Sequence, residues 1–183
     1  MKCAICFSTF SDQQVEYEPT KEEIIRMLTF LSKRNPRPPA ILFSGGEPLE
    51  REDMPEIVGA AHKLRFMTIL ATNGVKLAES PEIAAKLKKN GLNIVYLQFD
   101  SFRDDFYRKI RGQPLLRAKM KAIEVCRSED MEIILVNSLM QGFNDAEVGN
   151  LINFTAKNSD IIRGLIFQPV AFTGRATDNP FRE

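Results

Sequence analysis

Residues Ile41-Leu42-Phe43-Ser44-Gly45-Gly46-Glu47-Pro48 form a short apolar run that ends in two glycines, a carboxylate and a proline. A continuous apolar run of this kind is typical of a strand that is buried on both faces. Because the glycines have no side chains, a ligand can approach the backbone carbonyls and amides of the turn closely. The stretch therefore predicts a buried strand followed by a candidate small-molecule site, although Gly-Gly after a strand is also compatible with a plain tight turn.

The composition indicates a soluble globular protein that forms one domain. The 183 residues are 44% hydrophobic and 27% charged, and the chain contains no low-complexity tract. A formal net charge of +1 gives no broad basic surface, so we expect no nucleic-acid partner. The N-terminus is too short and too polar for a signal peptide, and no apolar run is long enough for a transmembrane segment. We therefore expect a cytoplasmic protein.

Strand and helix patterns alternate along the chain with short connections between them. Apolar runs predict strands at 41–43, 66–71, 93–99, 132–137 and 161–167. Helical spacing and capping signals predict helices that begin at or near Thr20, Asp53, Ser80, Leu116 and Asn144. Each strand and helix together span about 25 to 35 residues, which favours parallel strands joined by crossover helices.

Polar residues and glycines stand at the C-terminal ends of the predicted strands. These clusters are Ser44 to Glu47, Thr72 to Gly74, Gln98 with Asp100 and Ser101, Asn137 with Ser138, and Gln168. The C-terminal ends of parallel strands share one edge, where α/β folds bind their ligands, so we expect the clusters to form one cleft. Each cluster taken by itself is also compatible with an ordinary loop.

Two of the three cysteines, Cys3 and Cys6, are spaced as C-x-x-C. Three cysteines do not make a disulfide framework, and in a reducing compartment such a pair indicates metal or redox chemistry. Cys3-Ala4-Ile5-Cys6, followed later by Ser44-Gly45-Gly46-Glu47-Pro48, resembles the radical S-adenosylmethionine (SAM) superfamily. The resemblance implies that Cys3 and Cys6 are metal ligands of a [4Fe-4S] cluster, and that S-adenosyl-L-methionine is the second cofactor.

The same resemblance implies the fold class. We expect an α/β protein with an incomplete (β/α)6 TIM-like barrel, whose parallel sheet has about five strands and lacks the first strand of the barrel. Residues 1–183 would then be a single truncated core domain, with a cluster loop at 1–18 and an end tail at 169–183. The superfamily motif C-x-x-x-C-x-x-C has one further cysteine, which would lie two residues before Met1.

Residues at four strand ends match SAM-binding positions of the superfamily. The turn that holds the methionine ammonium group matches Ser44, Gly45, Gly46 and Glu47, whose carbonyls and carboxylate are suitable acceptors. The positions that meet the methionine carboxylate or the ribose match Asn73, Gln98, Asp100 and Ser101. The arginine that binds the carboxylate matches Arg111, and the adenosine contact matches Asn137 and Ser138.

The amino-acid sequence at 96–112 and 167–175 resembles that of an archaeal group of the superfamily. This group includes tetraether lipid synthases and a pterin-modifying methyltransferase, and molybdenum-cofactor cyclases resemble it more distantly. The implied reaction is reductive cleavage of SAM to a 5′-deoxyadenosyl radical, which relatives use for methylation or carbon–carbon coupling. The implied partners are a small-molecule or lipid substrate and a reducing electron donor.

Two other hypotheses remain open at this point. The chain could be a remnant that binds SAM without turnover, or a C-x-x-C zinc or redox protein on an ordinary α/β sheet. Departures from the superfamily pattern are the absent first cysteine and Ile5, which stands where an aromatic residue is common. We expect Cys126 to be a buried apolar residue and His62, the only histidine, to lie on the surface.

Overall fold

The computed structural model describes residues 4–5 and 17–170, and within them five parallel strands form one sheet. The strands are β1 (Ala40–Phe43), β2 (Met67–Thr72), β3 (Ile94–Gln98), β4 (Glu132–Leu139) and β5 (Ile162–Pro169). Each strand pairs with the next one along the chain, in the order β1-β2-β3-β4-β5. All five C-terminal ends therefore meet at one edge, and the predicted parallel α/β sheet is confirmed.

Helices connect consecutive strands throughout the described chain. They are α1 (Lys21–Ser32), α2 (Met54–Lys63), α3 (Val75–Glu79), α4 (Pro81–Lys89), α5 (Asp104–Arg111), α6 (Leu116–Ser128) and α7 (Val148–Lys157). Short 3-10 helices lie at Pro48–Glu50 and Asp145–Glu147. Two helices, α3 and α5, were not predicted from the sequence. Within the described ranges, no helix combines the length and the apolar character needed to cross a bilayer.

The main hydrophobic core lies between the helices and one face of the sheet. Alternate strand residues are fully buried on that face, among them Leu70, Val95, Leu97, Ile133 and Leu135. Residues between them point to the other face, as the two-residue repeat of a strand requires, and are half-buried or exposed. This second face leads up to the edge where the polar clusters lie.

The predicted side-chain cap forms at α1, whereas the side chains of Asp53 and Asn144 do not form the predicted cap bonds. Thr20 and Glu23 form the expected reciprocal capping box at α1, with bonds of 2.9 Å and 3.2 Å. Asp53 makes no side-chain cap bond at α2, because its carboxylate accepts two hydrogen bonds from Arg51, at 2.9 Å and 2.8 Å. Asn144 likewise makes no side-chain cap bond, so these two capping predictions were wrong in their contacts.

Candidate functional site

The glycine turn after β1 is open to a ligand. Ser44, Gly45 and Gly46 directly follow the strand and are exposed. A methyl group placed on either glycine would meet no atom within 4 Å, so the backbone of the turn faces open space. Exposed backbone carbonyls are hydrogen-bond acceptors, which is the chemistry that an ammonium group requires. The turn therefore fits the ammonium end of SAM in chemical type.

The Glu47 carboxylate joins this turn to the end of β2. Its Oε1 accepts hydrogen bonds from the Thr72 hydroxyl at 2.7 Å and from the Leu49 N–H at 3.2 Å. Its Oε2 accepts a hydrogen bond from the Asn73 N–H at 2.8 Å. Burial raises the pKa of the Glu47 carboxyl group, and the hydrogen bonds and the positive charge of Lys119 oppose that rise. We refer to Glu47, Thr72 and Asn73 as the Glu47 cluster.

Hydrogen bonds to the Asp100 carboxylate connect the C-terminal ends of β3, β4 and α5. Its Oδ2 accepts hydrogen bonds from Arg111 Nε at 3.0 Å and Nη2 at 2.8 Å, and also from Gln98 Nε2. Its Oδ1 accepts a hydrogen bond from the Ser138 N–H at 3.0 Å. Arg111 Nη2 also lies 3.1 Å from Ser138 Oγ, to which it donates. We refer to Gln98, Asp100, Arg111 and Ser138 as the Asp100 cluster.

A buried lysine that the sequence analysis missed lies between the two clusters. Lys119 of α6 is 0% exposed, and its Nζ donates to the Asn73 carbonyl at 2.5 Å and to Gln98 Oε1 at 2.6 Å. The Tyr107 ring lies 5.9 Å from Nζ. Helical spacing could have revealed this residue, because Lys119 falls on the same stripe of α6 as the buried Ala122, Ile123 and Cys126.

Buried side chains hold the loop that follows β3. Tyr107 Oη accepts hydrogen bonds from the N–H groups of Asp100 at 3.1 Å and Ser101 at 3.3 Å, and burial raises the pKa of this phenol. The amides of Asn137 and Asn144 donate to the Asp100 carbonyl at 2.7 Å and 2.8 Å. Ser101 and Asn137 are both 0% exposed, so the side chains of these two predicted site residues lie inside the protein.

Two residues near the N-terminus, Ala4 and Ile5, lie beside α5. The Ala4 N–H donates to the Ile110 carbonyl at 3.1 Å, and Ile5 packs against Phe106, Ile110 and Met140. Because Ile110 directly precedes Arg111, these contacts bring the two residues between the cysteines next to the Asp100 cluster. Cys3 and Cys6 themselves lie outside the described residues, as does the greater part of the predicted cluster loop and of the predicted end tail.

The remaining cysteine and the histidine lie where the sequence predicted. Cys126 is buried in α6, and burial raises the pKa of its thiol to about 12. His62 is exposed on α2. Over residues 4–5 and 17–170, no group of three or more His, Cys, Asp or Glu side chains could hold a metal ion.

The structure thus brings the predicted clusters to one edge. Hydrogen bonds connect the ends of β1, β2, β3 and β4 through Glu47, Lys119 and Asp100. Gln168 of β5 is exposed and stands in register with Ser138 of β4.

Comparison with known proteins identifies the family. The family model described as the Radical SAM superfamily matches residues 1–155. The chain is 43% identical over 185 residues to a 7,8-dihydro-6-hydroxymethylpterin dimethyltransferase of Methanocaldococcus jannaschii, covering 100% of this chain and 36% of that relative. It is 30% identical over 162 residues to a probable GTP 3′,8-cyclase of Thermococcus kodakarensis, covering 88% of this chain and 51% of the relative. The chain therefore spans between about a third and a half of these relatives' length.

Solved structures share the fold. Streptococcus suis SuiB bound to its precursor peptide SuiA matches with a TM-score of 0.75 and 16% identity, over 93% of this chain and 37% of that one. Native anSMEcpe with bound AdoMet and Kp18Cys peptide matches with a TM-score of 0.71 and 20% identity, over 93% of this chain and 48% of that one. The expected grouping with a pterin methyltransferase and with cyclases is confirmed. The chain belongs to the radical SAM superfamily.

Proposed function

We propose that this chain is the core of a radical SAM enzyme, which binds SAM and a [4Fe-4S] cluster at the C-terminal edge of the sheet. The superfamily uses both of these cofactors. The observation that carries the proposal is the continuous hydrogen-bonded network that connects the glycine turn to Asn73, Gln98, Asp100 and Arg111. Such a network holds acceptors, amides and a guanidinium group in fixed positions along one edge of the sheet.

The glycine turn would receive the ammonium group of SAM. Glu47 already accepts three hydrogen bonds from the protein, and a carboxylate has only about four lone-pair sites. The exposed carbonyls of Ser44, Gly45 and Gly46 would therefore provide most of the acceptors. Glu47 would add one acceptor, and its bonds to Thr72 and Asn73 would fix the turn relative to β2.

The Asp100 cluster would hold the carboxylate and nucleoside parts of SAM. Gln98 and Ser138 are half-buried, so their side chains remain accessible from the edge, and Asn73 of the Glu47 cluster is equally accessible. Arg111 is only 11% exposed and is fixed by two bonds to Asp100, so its positive charge stays at the edge, where it attracts a carboxylate. Asp100, Ser101 and Asn137 are buried and would support these contacts from within.

Cys3 and Cys6 would provide thiolate ligands of the cluster. The contacts of Ala4 and Ile5 beside α5 support this assignment, because those two residues separate the cysteines in the sequence and lie next to the Asp100 cluster. When bound, the reduced cluster would supply the electron for the reductive cleavage of SAM. The chain's own residues bind and orient SAM.

The substrate that we propose is a small molecule, with a reducing electron donor as the second partner. The relatives named above are a pterin dimethyltransferase and a GTP cyclase, and both names describe reactions of small heterocyclic molecules. The second face of the sheet supports this choice, because it carries half-buried apolar residues such as Ile69, Tyr96 and Ile166 directly below the polar edge. We propose methyl transfer as the reaction class, on the basis of the 43% identity.

The test is SAM cleavage by the protein after anaerobic reconstitution with iron and sulfide. We expect the reduced protein to form 5′-deoxyadenosine, measured by mass spectrometry. The variant Cys6→Ser should form none, whereas Cys126→Ser, which changes a buried thiol on α6, should match the wild type. SAM binding without 5′-deoxyadenosine would favour the binding-only hypothesis. Equal product from Cys6→Ser and wild type would contradict the proposed role of this cysteine.

A further inference from the structure

Lys119 occupies a position at which an apolar residue would be the ordinary choice. It lies on the buried stripe of α6 and is fully buried beneath the C-terminal edge of the sheet. Burying an ammonium group costs free energy, and the replacement of buried ionic groups by apolar residues is often neutral or stabilising. The stability of the fold therefore does not require a lysine at position 119. The contacts of the Lys119 ammonium group indicate its role instead.

The first contact fixes the orientation of an amide. Lys119 Nζ donates to Gln98 Oε1 at 2.6 Å, so the oxygen side of the Gln98 amide faces the lysine. The Nε2 side of the same amide is consequently turned toward Asp100, to whose Oδ2 it donates. An amide that is free to rotate could present either atom to Asp100, and only the nitrogen forms a favourable bond with a carboxylate. Lys119 thus selects the orientation that completes the Asp100 cluster.

The second contact fixes a peptide group. Lys119 Nζ donates to the Asn73 carbonyl at 2.5 Å, while the N–H of the same residue donates to Glu47 at 2.8 Å. The position of Asn73 is therefore set from both sides. Through these two contacts, one ammonium group connects the Glu47 cluster to the Asp100 cluster. It also adds a positive charge close to two carboxylates, which Arg111 alone would balance only in part.

We propose that Lys119 is a positioning residue for the SAM site, which holds the Glu47 cluster and the Asp100 cluster in one fixed arrangement. This inference rests on the proposed function, because it assumes that both clusters contact SAM. Lys119 acts through Asn73 and Gln98 rather than by touching the ligand, since its side chain is buried. Its removal leaves two partly buried acceptors without this donor and allows the Gln98 amide to rotate.

The experiment compares Lys119→Met with the matched control Lys121→Met. Both lysines lie on α6, but Lys121 is exposed and pairs with Glu124 at 3.6 Å. SAM affinity is measured by isothermal titration calorimetry on the reconstituted protein, with iron content and thermal unfolding recorded for every variant. We expect Lys119→Met to weaken SAM binding by about ten- to a hundredfold, the range that is typical when the residues that orient metal ligands are removed. Lys121→Met should bind as the wild type does.

The pH dependence of SAM binding separates positioning from a loss of stability. Glu47 lies in the loop after β1; burial raises the pKa of its carboxyl group, and the positive charge of Lys119 is one of the interactions that oppose this rise. The acid limb of the binding profile should therefore move to higher pH in Lys119→Met, over a pH range in which circular dichroism shows that the variant stays folded. The other charged groups on this side of Lys119 are Asp100, in the loop after β3, and Arg111 of α5, which form an ion pair at 2.8 Å.

The outcomes distinguish this inference from the proposed function. If the wild type binds SAM and Lys119→Met binds it with the same affinity and pH profile, Lys119 has no positioning role. If the wild type does not bind SAM, the proposed function fails and this inference fails with it. If Lys119→Met does not fold, Lys119→Gln, which loses the charge and keeps an amide donor group, takes its place. Weaker SAM binding by this variant at unchanged iron content would support the positioning role, and unchanged affinity and pH profile would contradict it.

Discussion

Asp100 carries a fully buried carboxylate, and its partner Arg111 is 11% exposed. Two hydrogen bonds from the guanidinium group and one from the Ser138 N–H satisfy this charge. A buried charge is tolerable only when its partners are in place, so this pair is sensitive to the loss of either member. In this structure the ion pair at the edge of the sheet is therefore a structural element as well as a part of the candidate site.

We predict that Asp100→Asn lowers the free energy of unfolding by about 3 to 5 kcal/mol, because it leaves the charge of Arg111 without its counterion. Urea denaturation measures this loss. Asp105→Asn is the matched control, since its side chain is 71% exposed and lies 3.8 Å from Arg103, and it should cost less than about 1 kcal/mol. Similar values for the two variants would contradict the structural role of Asp100.

The pKa of Glu47 predicts how its contribution to the free energy of unfolding depends on pH. Burial raises the pKa of its carboxyl group in the folded state above the ordinary value of 4.5. The folded protein then holds the proton more tightly than the unfolded chain does, so the contribution of Glu47 to stability is fully present below pH 4.5 and declines as the pH rises through the folded-state pKa. The free energy of unfolding of the wild type, minus that of Glu47→Gln, should therefore fall with rising pH.

Urea denaturation of both proteins between about pH 4 and pH 7 measures this difference, over the range in which ordinary and raised carboxyl groups titrate. The exposed Glu50→Gln, three residues away, is the control for the general effect of removing one carboxylate. A difference that grows with pH would mean that the hydrogen bonds to Thr72 and Asn73 outweigh burial at Glu47.

At the scale of elements, the β2–α3 connection depends on a glycine. Gly74 has φ +78°, in the left-handed region, and a methyl group on it would lie 2.5 Å from Leu97 Cδ1. Gly149, on α7, has no atom within 4 Å of the same methyl position. The two glycines thus differ in both backbone conformation and available space.

We predict that Gly74→Ala destabilises the protein by about 1 to 3 kcal/mol, because strain at positive φ adds to overpacking against β3. Gly149→Ala should instead be neutral or stabilising by up to about 1 kcal/mol, since alanine is the better helix former. Thermal unfolding of the two variants measures both effects. A Gly74→Ala variant as stable as the wild type would mean that Leu97 and the loop can move aside without cost.

The sequence predicted the regular elements with strong periodicity and missed two short helices. α3 has five residues and ends just before α4. The start signal Ser80-Pro81 predicts α4, and no comparable signal predicts α3. α5 has eight residues, of which five are charged, and its buried face consists of only Phe106, Tyr107 and Ile110. Helices this short depend on tertiary packing rather than on intrinsic propensity, which a local pattern does not report.

At the scale of the molecule, the sequence predicted which strand ends would meet, because parallel strands share one edge. It could not predict which polar groups bond to one another, since this depends on the register between strands and on the orientation of side chains. Glu47, Asn73 and Arg111 were expected as ligand contacts, and the structure adds their bonds within the protein. Lys119 was not predicted as a site residue, because a lysine on an amphipathic helix is usually exposed.

The architecture also explains how one edge could serve two cofactors. The ends of β1 to β4 and α5 supply the polar clusters, and Ala4 and Ile5 contact α5 beside Arg111. SAM and cluster would then share a boundary at Arg111, the residue after Ile110. We expect this proximity to be visible in the electronic structure of the cluster.

Electron paramagnetic resonance of the reduced, reconstituted protein tests most directly whether SAM and the cluster are neighbours at the C-terminal edge of the sheet. We predict that the reduced protein shows the signal of a [4Fe-4S] cluster, and that SAM shifts its g-values. A spectrum that stays unchanged at saturating SAM would contradict the claim that both cofactors meet at the C-terminal edge of the sheet.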